Sequence, residues 1–93
     1  MLHLRMIAHG NVQNVGFRDF VCRIGASLSL VGFAKNLPDG TVEIVSEGEQ
    51  EKLDEFCRRI KVRQPLGIHV DDLEKAEIRE IDKPSFASFS VAY

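Results

Sequence analysis

The segment from Gly10 to Arg18 contains the residues most suited to binding an anion. It reads Gly-Asn-Val-Gln-Asn-Val-Gly-Phe-Arg and separates an alternating apolar stretch from a helical pattern, which predicts a loop over Gly10 to Gly16. N–H groups at the start of a helix lack partners within the helix, and the helix dipole adds partial positive charge there. Arg18, in the first helical turn, supplies a planar set of donors that matches the oxygens of a phosphoryl group. The segment therefore has the groups that an anion site requires.

Taken alone, this loop is weak evidence for a function. A glycine-containing turn before a helix is most often only a turn, and a single arginine is more often a solvated surface residue. The segment also lacks the Gly-Lys-Ser/Thr ending that a Walker A loop requires. A second signal is needed before phosphate chemistry can be assigned.

The second polar position is Asn36, which ends a short apolar segment just before a turn. Pro38-Asp39-Gly40 supplies a fixed φ, a side-chain acceptor and a residue free to take positive φ, so it predicts a hairpin. From this spacing alone, Asn36 is best explained as a residue that serves the turn. The alternative is that its amide holds a water molecule, because an amide can donate and accept hydrogen bonds at once.

The remaining segments must form the elements that position these two stretches. Alternating polarity predicts strands at residues 2–9, 41–46 and 86–93, and imperfect alternation predicts another at 68–81. Residues 30–35 are short, apolar and compatible with a strand. Helical spacing of apolar residues predicts helices at residues 17–28 and 50–61. Gly25 lies inside the first helix, where it should cost up to about 1 kcal/mol relative to alanine.

The order of these elements is strand, helix, strand, strand, helix, strand, with a short strand added at the end. Two helices that each carry one apolar stripe must share one face of a sheet whose other face is polar. The pattern predicts an α+β fold, a two-layer sandwich of the ferredoxin-like βαββαβ kind with a mainly antiparallel sheet. The chain has 93 residues and no linker or repeat, so we expect a single domain spanning residues 1–93.

Composition and charge exclude several classes of partner. The net charge is −2 and the pI is about 5.9, so no overall positive field attracts a nucleic-acid backbone. The aromatic signature of an RNA-binding sheet of the same topology is also missing. No run approaches the roughly 20 apolar residues of a membrane span, and the alternating first ten residues do not resemble a signal peptide. We expect a soluble, cytoplasmic protein with no nucleic-acid or membrane partner.

The two cysteines, Cys22 and Cys57, both fall in predicted helices. Neither has a second Cys or a His nearby at metal-ligand spacing, so the sequence predicts no metal site. Buried free thiols are favoured in a cytosolic protein, although a bridge between the two helices stays possible.

Taken together, the two polar stretches resemble the acylphosphatase family. The family pattern runs Gly-x-Val-Gln-Gly-Val-Gly-Phe-Arg and later Gly-Phe/Tyr-x-x-Asn-x-x-Asp-Gly-x-Val-Glu, and both parts occur here in order, the second from Gly32 to Glu43. The resemblance extends over nearly the whole chain, including Glu47-Gly48 and the stretch from Phe86 to Val91. Two motifs at the right separation in so short a chain are far more specific than either motif alone.

The resemblance implies an enzyme that hydrolyses acyl phosphates to a carboxylate and inorganic phosphate. It implies that Arg18 and a loop bind the phosphoryl group and that Asn36 orients the attacking water. The loop residues are Asn11, Val12, Gln13, Asn14, Val15 and Gly16. It implies no metal, cofactor or covalent nucleophile, because positioning and charge stabilisation suffice for phosphoryl transfer. We expect a monomer inhibited by its product, inorganic phosphate.

Two residues depart from the family pattern. Asn14 stands where the family usually has glycine, in the middle of the phosphate loop, and asparagine tolerates left-handed backbone better than most residues. Its side chain could narrow the pocket, which keeps a second hypothesis open: a non-catalytic module that binds anions. Ser29 replaces the glycine expected where the first helix ends, which should cost stability if that position is left-handed.

The remaining polar residues are predicted to be unrelated to catalysis. His9 should face solvent from its strand, and His3 and His69 have no partner at a useful spacing. Asp71, Asp72 and Glu74 are expected to form a solvated face. We therefore predict no general base among them.

Overall fold

The alternating and helical patterns of the chain produce five strands and two helices in the computed structural model, which describes residues 1–93. The elements are β1 (Leu2–Asn11), α1 (Phe17–Ser27), β2 (Val31–Asn36), β3 (Val42–Gly48), α2 (Gln50–Ile60), β4 (His69–Glu80) and β5 (Phe89–Ala92). The predicted order of elements, with its short final strand, is confirmed.

The strands form one sheet in the order β4-β1-β3-β2-β5. All neighbours are antiparallel except β2 and β5, which run parallel. This is the mainly antiparallel ferredoxin-like sheet that the sequence predicted. The β2–β3 hairpin closes through Asp39, whose carboxylate accepts hydrogen bonds from the N–H and the hydroxyl of Thr41. These two bonds lower the pKa of Asp39.

Both helices bury their apolar stripes against one face of the sheet. Alternate residues of β1, namely Leu4, Met6 and Ala8, point into this core, as the period-two pattern predicted. The helices contribute large side chains that are almost completely buried, including Phe17 from α1 and Phe56 from α2. The result is a continuous cluster of 17 buried apolar residues.

Gly25 has a packing role that its helical position alone does not reveal. A Cβ atom placed there would lie 2.5 Å from the ring of Phe89, so no larger residue fits without moving that ring. The Phe89 ring in turn packs on Phe56, with their centroids 5.5 Å apart. The glycine therefore lets α1 approach β5 closely, which compensates for its low helix propensity.

The opposite face of the sheet is partly covered by the segment that joins β4 to β5. Phe86 from this segment packs edge-on against Phe33 of β2, with the ring centroids 5.7 Å apart. Next to them, the Glu47 carboxylate accepts hydrogen bonds from the Ser85 N–H (2.6 Å) and from Nδ1 of His3 (2.5 Å). We call His3, Glu47 and Ser85 the covered cluster.

The prediction that His3 has no partner is therefore wrong. His3 and Glu47 are 44 residues apart in the chain but stand opposite each other on β1 and β3. Burial raises the pKa of Glu47, but the hydrogen bonds from Ser85 and His3 outweigh burial and hold that pKa below its ordinary value. His69 also has a partner, because its Nε2 lies 2.9 Å from the carboxylate of Asp71.

Two strands differ in detail from the predicted pattern. β1 continues through Gly10 and Asn11, which were expected in the loop, because both residues still pair with β4. The pairing of β1 with β4 contains two register shifts, one near Arg5 and one near His9. Such bulges explain the imperfect alternation of β4, since each one interrupts the period of two.

Both cysteines are free and half-buried. The thiol of Cys57 donates to the sulfur of Met6 at 3.6 Å. Burial raises the pKa of the Cys22 thiol to about 11, with a further contribution from Asp19, so this thiol stays protonated at neutral pH. Neither helix is long and apolar enough to cross a membrane.

Candidate active site

The junction between β1 and α1 exposes a row of unpaired backbone donors. None of the N–H groups from Gln13 to Asp19 donates a hydrogen bond within the protein. The helical ladder begins with the bond from the Phe20 N–H to the Gly16 carbonyl at 3.1 Å, and no side chain caps the helix. Free N–H groups at the positive end of a helix dipole form a natural anion site.

The loop owes its shape to two residues with left-handed backbone. Asn14 has φ 62° and Gly16 has φ 78°. Glycine adopts this region without strain, and asparagine adopts it more readily than most residues. Backbone turns of this kind gather successive N–H groups around a concavity that accepts anions. Asn14 therefore maintains the left-handed geometry that the family pattern usually assigns to glycine.

A pocket of about 120 Å³ lies beside this loop. That volume is several times the roughly 10–15 Å³ that one water molecule needs, so it suits a small anion with an attacking water. The pocket brings Arg18 and Asn36 together, although they belong to different motifs and different elements. Its lining residues are Val12, Asn14, Gly16, Phe17, Arg18, Asp19, Asn36, Val91 and Tyr93.

The C-terminal end of the chain fixes the guanidinium group of Arg18. Nη1 of Arg18 donates to the carbonyl of Ala92 at 3.1 Å, and the ring centroid of Tyr93 lies 5.0 Å from Cζ. A guanidinium group has five N–H donors, so most of them remain available to an anion. The sequence offered no signal for this role of Ala92 and Tyr93, because their partner is more than 70 residues away.

Asn36 lines the same pocket and carries a buried acceptor without a partner. It is the last residue of β2, directly before the hairpin turn. Its Oδ1 atom is buried and has no hydrogen-bond partner. Buried polar atoms are nearly always paired in folded proteins, so this unpaired acceptor is exceptional.

Three of the predicted loop residues direct their side chains away from the pocket. The Gln13 amide donates to the carbonyls of Leu37 and Thr41 in the hairpin turn. The Asn11 amide donates to the carbonyl of Gly67, and Val15 packs against the core. These three residues line no part of the pocket with their side chains.

The pocket carries one carboxylate, from Asp19, which the sequence reading did not identify as a site residue. No three His, Cys, Asp or Glu side chains form a group that could hold a metal ion. His9 points to the exposed side of β1, where it pairs with Glu74, and it does not line the pocket.

Comparisons with known proteins agree on one family over the full length of the chain. The family model described as acylphosphatase matches residues 4–91. The chain is 42% identical to an acylphosphatase of Archaeoglobus fulgidus and 40% identical to one of Bacillus licheniformis, with all of both chains covered in each case. The structure superimposes on the crystal structure of acylphosphatase from Bacillus subtilis with a TM-score of 0.85 at 35% identity, covering the whole of both chains.

These matches agree with the order of the two polar motifs and with the sheet topology. The chain therefore belongs to the acylphosphatase family of hydrolases.

Proposed function

We propose that this protein hydrolyses acyl phosphates with Arg18 and the loop N–H groups on the phosphoryl group and Asn36 on the attacking water. One observation carries the proposal. Arg18, Asn36 and several residues of the β1–α1 junction whose N–H groups are unpaired, among them Asn14 and Gly16, all line one small pocket. The pocket therefore offers donors for an anion and, separately, a side-chain amide for a water molecule.

In the proposed reaction the phosphoryl oxygens receive hydrogen bonds from the loop and from Arg18. The water oxygen forms a bond to phosphorus as the bond from phosphorus to the acyl oxygen breaks, and the electron pair leaves with the carboxylate. One water proton stays on the new P–O–H group and the other passes to a phosphate oxygen. An acyl phosphate dianion and water thus give a carboxylate and a phosphate monoanion, with atoms and charge balanced.

The protein has little bond-making chemistry to do in this reaction. A carboxylate is a good leaving group, so orientation of the water and stabilisation of the phosphoryl charge lower the barrier. Asn36 orients the water through its side-chain amide and so directs the water's lone pair towards phosphorus. Arg18 is held in place by Ala92 and Tyr93 before substrate arrives, so little reorganisation is needed.

Benzoyl phosphate hydrolysis tests the proposal directly. We expect turnover in the presence of EDTA, together with competitive inhibition by inorganic phosphate. Phosphate should also raise the melting temperature, because a ligand that binds only the folded state stabilises it by mass action. Activity that disappears in chelator and returns with Mg²⁺ would contradict the proposed mechanism.

A second candidate function follows from Asn14, which lines the pocket where the family usually has glycine. If its side chain blocks the productive position of the substrate, the protein would bind anions without turnover. The same assay separates the two functions, since phosphate would then raise the melting temperature while benzoyl phosphate stays intact. Recovery of hydrolysis in Asn14→Gly would identify Asn14 as the cause.

A further inference from the structure

We propose that Gln13 is a positioning residue, which holds the hairpin that carries Asn36 in register with the phosphate loop. This role rests on the function proposed above. The family pattern includes this glutamine, but the resemblance placed it only within the phosphate-binding loop. Its side chain instead contacts the element that carries the water-orienting residue.

The contact consists of two hydrogen bonds from one amide group. Nε2 of Gln13 donates to the carbonyl of Leu37 at 2.8 Å and to the carbonyl of Thr41 at 2.9 Å. An amide nitrogen has two protons, so both are used here. The two carbonyls flank the hairpin turn, and the Leu37 N–H also donates to the Thr41 carbonyl at 2.9 Å. Gln13 thus bridges both ends of the turn.

Both acceptors lie next to Asn36 in the structure. Leu37 follows Asn36 in the chain, and Thr41 precedes Val42, which pairs with Asn36 across the β2–β3 ladder. A shift of either carbonyl would therefore move the backbone that carries the Asn36 side chain. The two Gln13 bonds are the only side-chain hydrogen bonds between the loop of residues 12–16 and the turn of residues 37–41.

Asn36 depends on the hairpin backbone because its side chain has no hydrogen bond of its own. The Asn36 side chain makes no hydrogen bond within the protein, so its position relative to Arg18 is set by its backbone. The loop supplies the phosphate site and the hairpin supplies the water site, and Gln13 joins the two. A displacement of about 1 Å between reacting groups can lower the rate by up to about 10²-fold.

Gln13→Met tests this role, because methionine has a similar length but no donor. We expect kcat for benzoyl phosphate to fall by about 10- to 100-fold. We expect the affinity for inorganic phosphate to change by less than about threefold, since Arg18 and the N–H groups stay in place. A wild-type kcat, or a loss of phosphate affinity as large as that of Arg18→Ala, would overturn the proposal.

A double-mutant cycle with Asn36→Ala tests whether Gln13 acts through Asn36. Residues that act as a unit are strongly non-additive, so Gln13→Met should lower the residual kcat of Asn36→Ala by less than about twofold. If the two effects multiply, Gln13 contributes independently of Asn36 and the proposed role is wrong.

The matched control is Gln64→Met. The Gln64 side chain accepts a hydrogen bond from the Ile68 N–H and does not line the pocket. This variant should keep wild-type kcat, and a loss equal to that of Gln13→Met would show that the effect is not specific to the hairpin.

If Gln13→Met does not fold, Gln13→Asn is measured in the same way, since its amide is one carbon too short to reach both carbonyls. Failure of the wild-type protein to hydrolyse benzoyl phosphate would instead refute the proposed function itself.

Discussion

The pocket and the covered cluster both contain polar groups, but these groups are unpaired at the pocket and hydrogen-bonded within the protein in the covered cluster. At the pocket, a row of N–H groups and the Oδ1 of Asn36 have no partner within the protein. In the covered cluster, the Glu47 carboxylate has two donors at 2.5 and 2.6 Å, and its side chain is fully buried. Neither pocket that the structure contains includes His3, Glu47 or Ser85.

This difference in hydrogen bonding distinguishes polar groups that are available to a ligand from polar groups that stabilise the fold. An unpaired polar group costs free energy in the empty protein, and a ligand that pairs with it recovers that cost on binding. A buried carboxylate with its donors in place gives a fixed geometry but offers nothing to a ligand. We therefore expect changes at the pocket to affect turnover and changes in the covered cluster to affect folding.

Arg18→Ala should have the largest effect on turnover. An arginine that stabilises the charge of a transferring phosphoryl group contributes about 10³- to 10⁵-fold, so we expect kcat/KM to fall by this order. The missing guanidinium contacts the anion at every stage, so phosphate should also cease to raise the melting temperature. Steady-state kinetics and thermal melts with phosphate measure both effects. If phosphate still protects the variant fully, the anion site lies elsewhere.

Glu47→Ala should have the largest effect on stability. Removal of the carboxylate leaves the His3 ring and the Ser85 N–H without their partner, which should cost about 3–5 kcal/mol in the free energy of unfolding. Turnover of the folded fraction should stay normal. Glu43→Ala is the matched control, because the Glu43 carboxylate pairs with Arg5 at the partly exposed side of the same strand. Loss of such a pair costs about 0–1 kcal/mol.

The cost of Glu47→Ala should depend on pH with a definite sign. The pKa of Glu47 is depressed in the folded protein. Its contribution is therefore complete above the ordinary glutamate pKa of about 4.3 and is lost as the pH falls through the folded value. Denaturant titrations at pH 7 and in acid should show the difference between wild type and variant shrinking in acid. A constant difference would contradict the depressed pKa.

Asn36→Ala should lower kcat by about 10²- to 10³-fold, by analogy with the loss of one preorganised polar group. Phosphate affinity should stay nearly unchanged, because in the proposed mechanism Asn36 acts on the water and not on the phosphoryl group. Calorimetric phosphate titration of this variant and of Arg18→Ala tests the distinction. If Asn36→Ala loses phosphate affinity as severely as Arg18→Ala, Asn36 does not orient the water.

The smallest expected effects belong to the two left-handed residues that are not glycine, Asn14 and Ser29. Ser29 has φ 60° at the end of α1, which costs a non-glycine residue about 1–2 kcal/mol. Ser29→Gly should raise the free energy of unfolding by about 1 kcal/mol without a change in turnover. Asn14→Gly should keep activity within about tenfold, which corresponds to about 1.4 kcal/mol of barrier. A much larger gain in turnover would favour the anion-binding module.

The parts of the structure that sequence reasoning predicted are those encoded by nearby residues. The period of two in β1, the stripes of α1 and α2 and the Asp39 turn depend on residues within a few positions of one another. The sequence also marked Ser29 as a position that would lose stability if it were left-handed, and its φ of 60° meets that condition.

The contacts that sequence reasoning missed join distant parts of the chain. The partner of His3 is 44 residues away, and the hairpin carbonyls that bind Gln13 are 24 and 28 residues away. Such partners become neighbours only through strand order and register, which no linear spacing contains. For the same reason, the polar nature of Gln13 was visible but the direction of its side chain was not.

The way Ala92 and Tyr93 hold Arg18 has a consequence for folding kinetics. The pocket is lined by residues of the β1–α1 junction, by Asn36, and by Val91 and Tyr93, so it is complete only after β5 has docked beside β2. Contacts between the two ends of a chain close a long loop, and the entropy cost of closing it precedes the stabilisation that the contacts provide. We therefore expect them to form late in folding. Phosphate should therefore slow unfolding while leaving the folding rate almost unchanged, because a ligand absent from the transition state stabilises only the native side of the barrier. Phosphate binding by this protein is then a measure of completed folding.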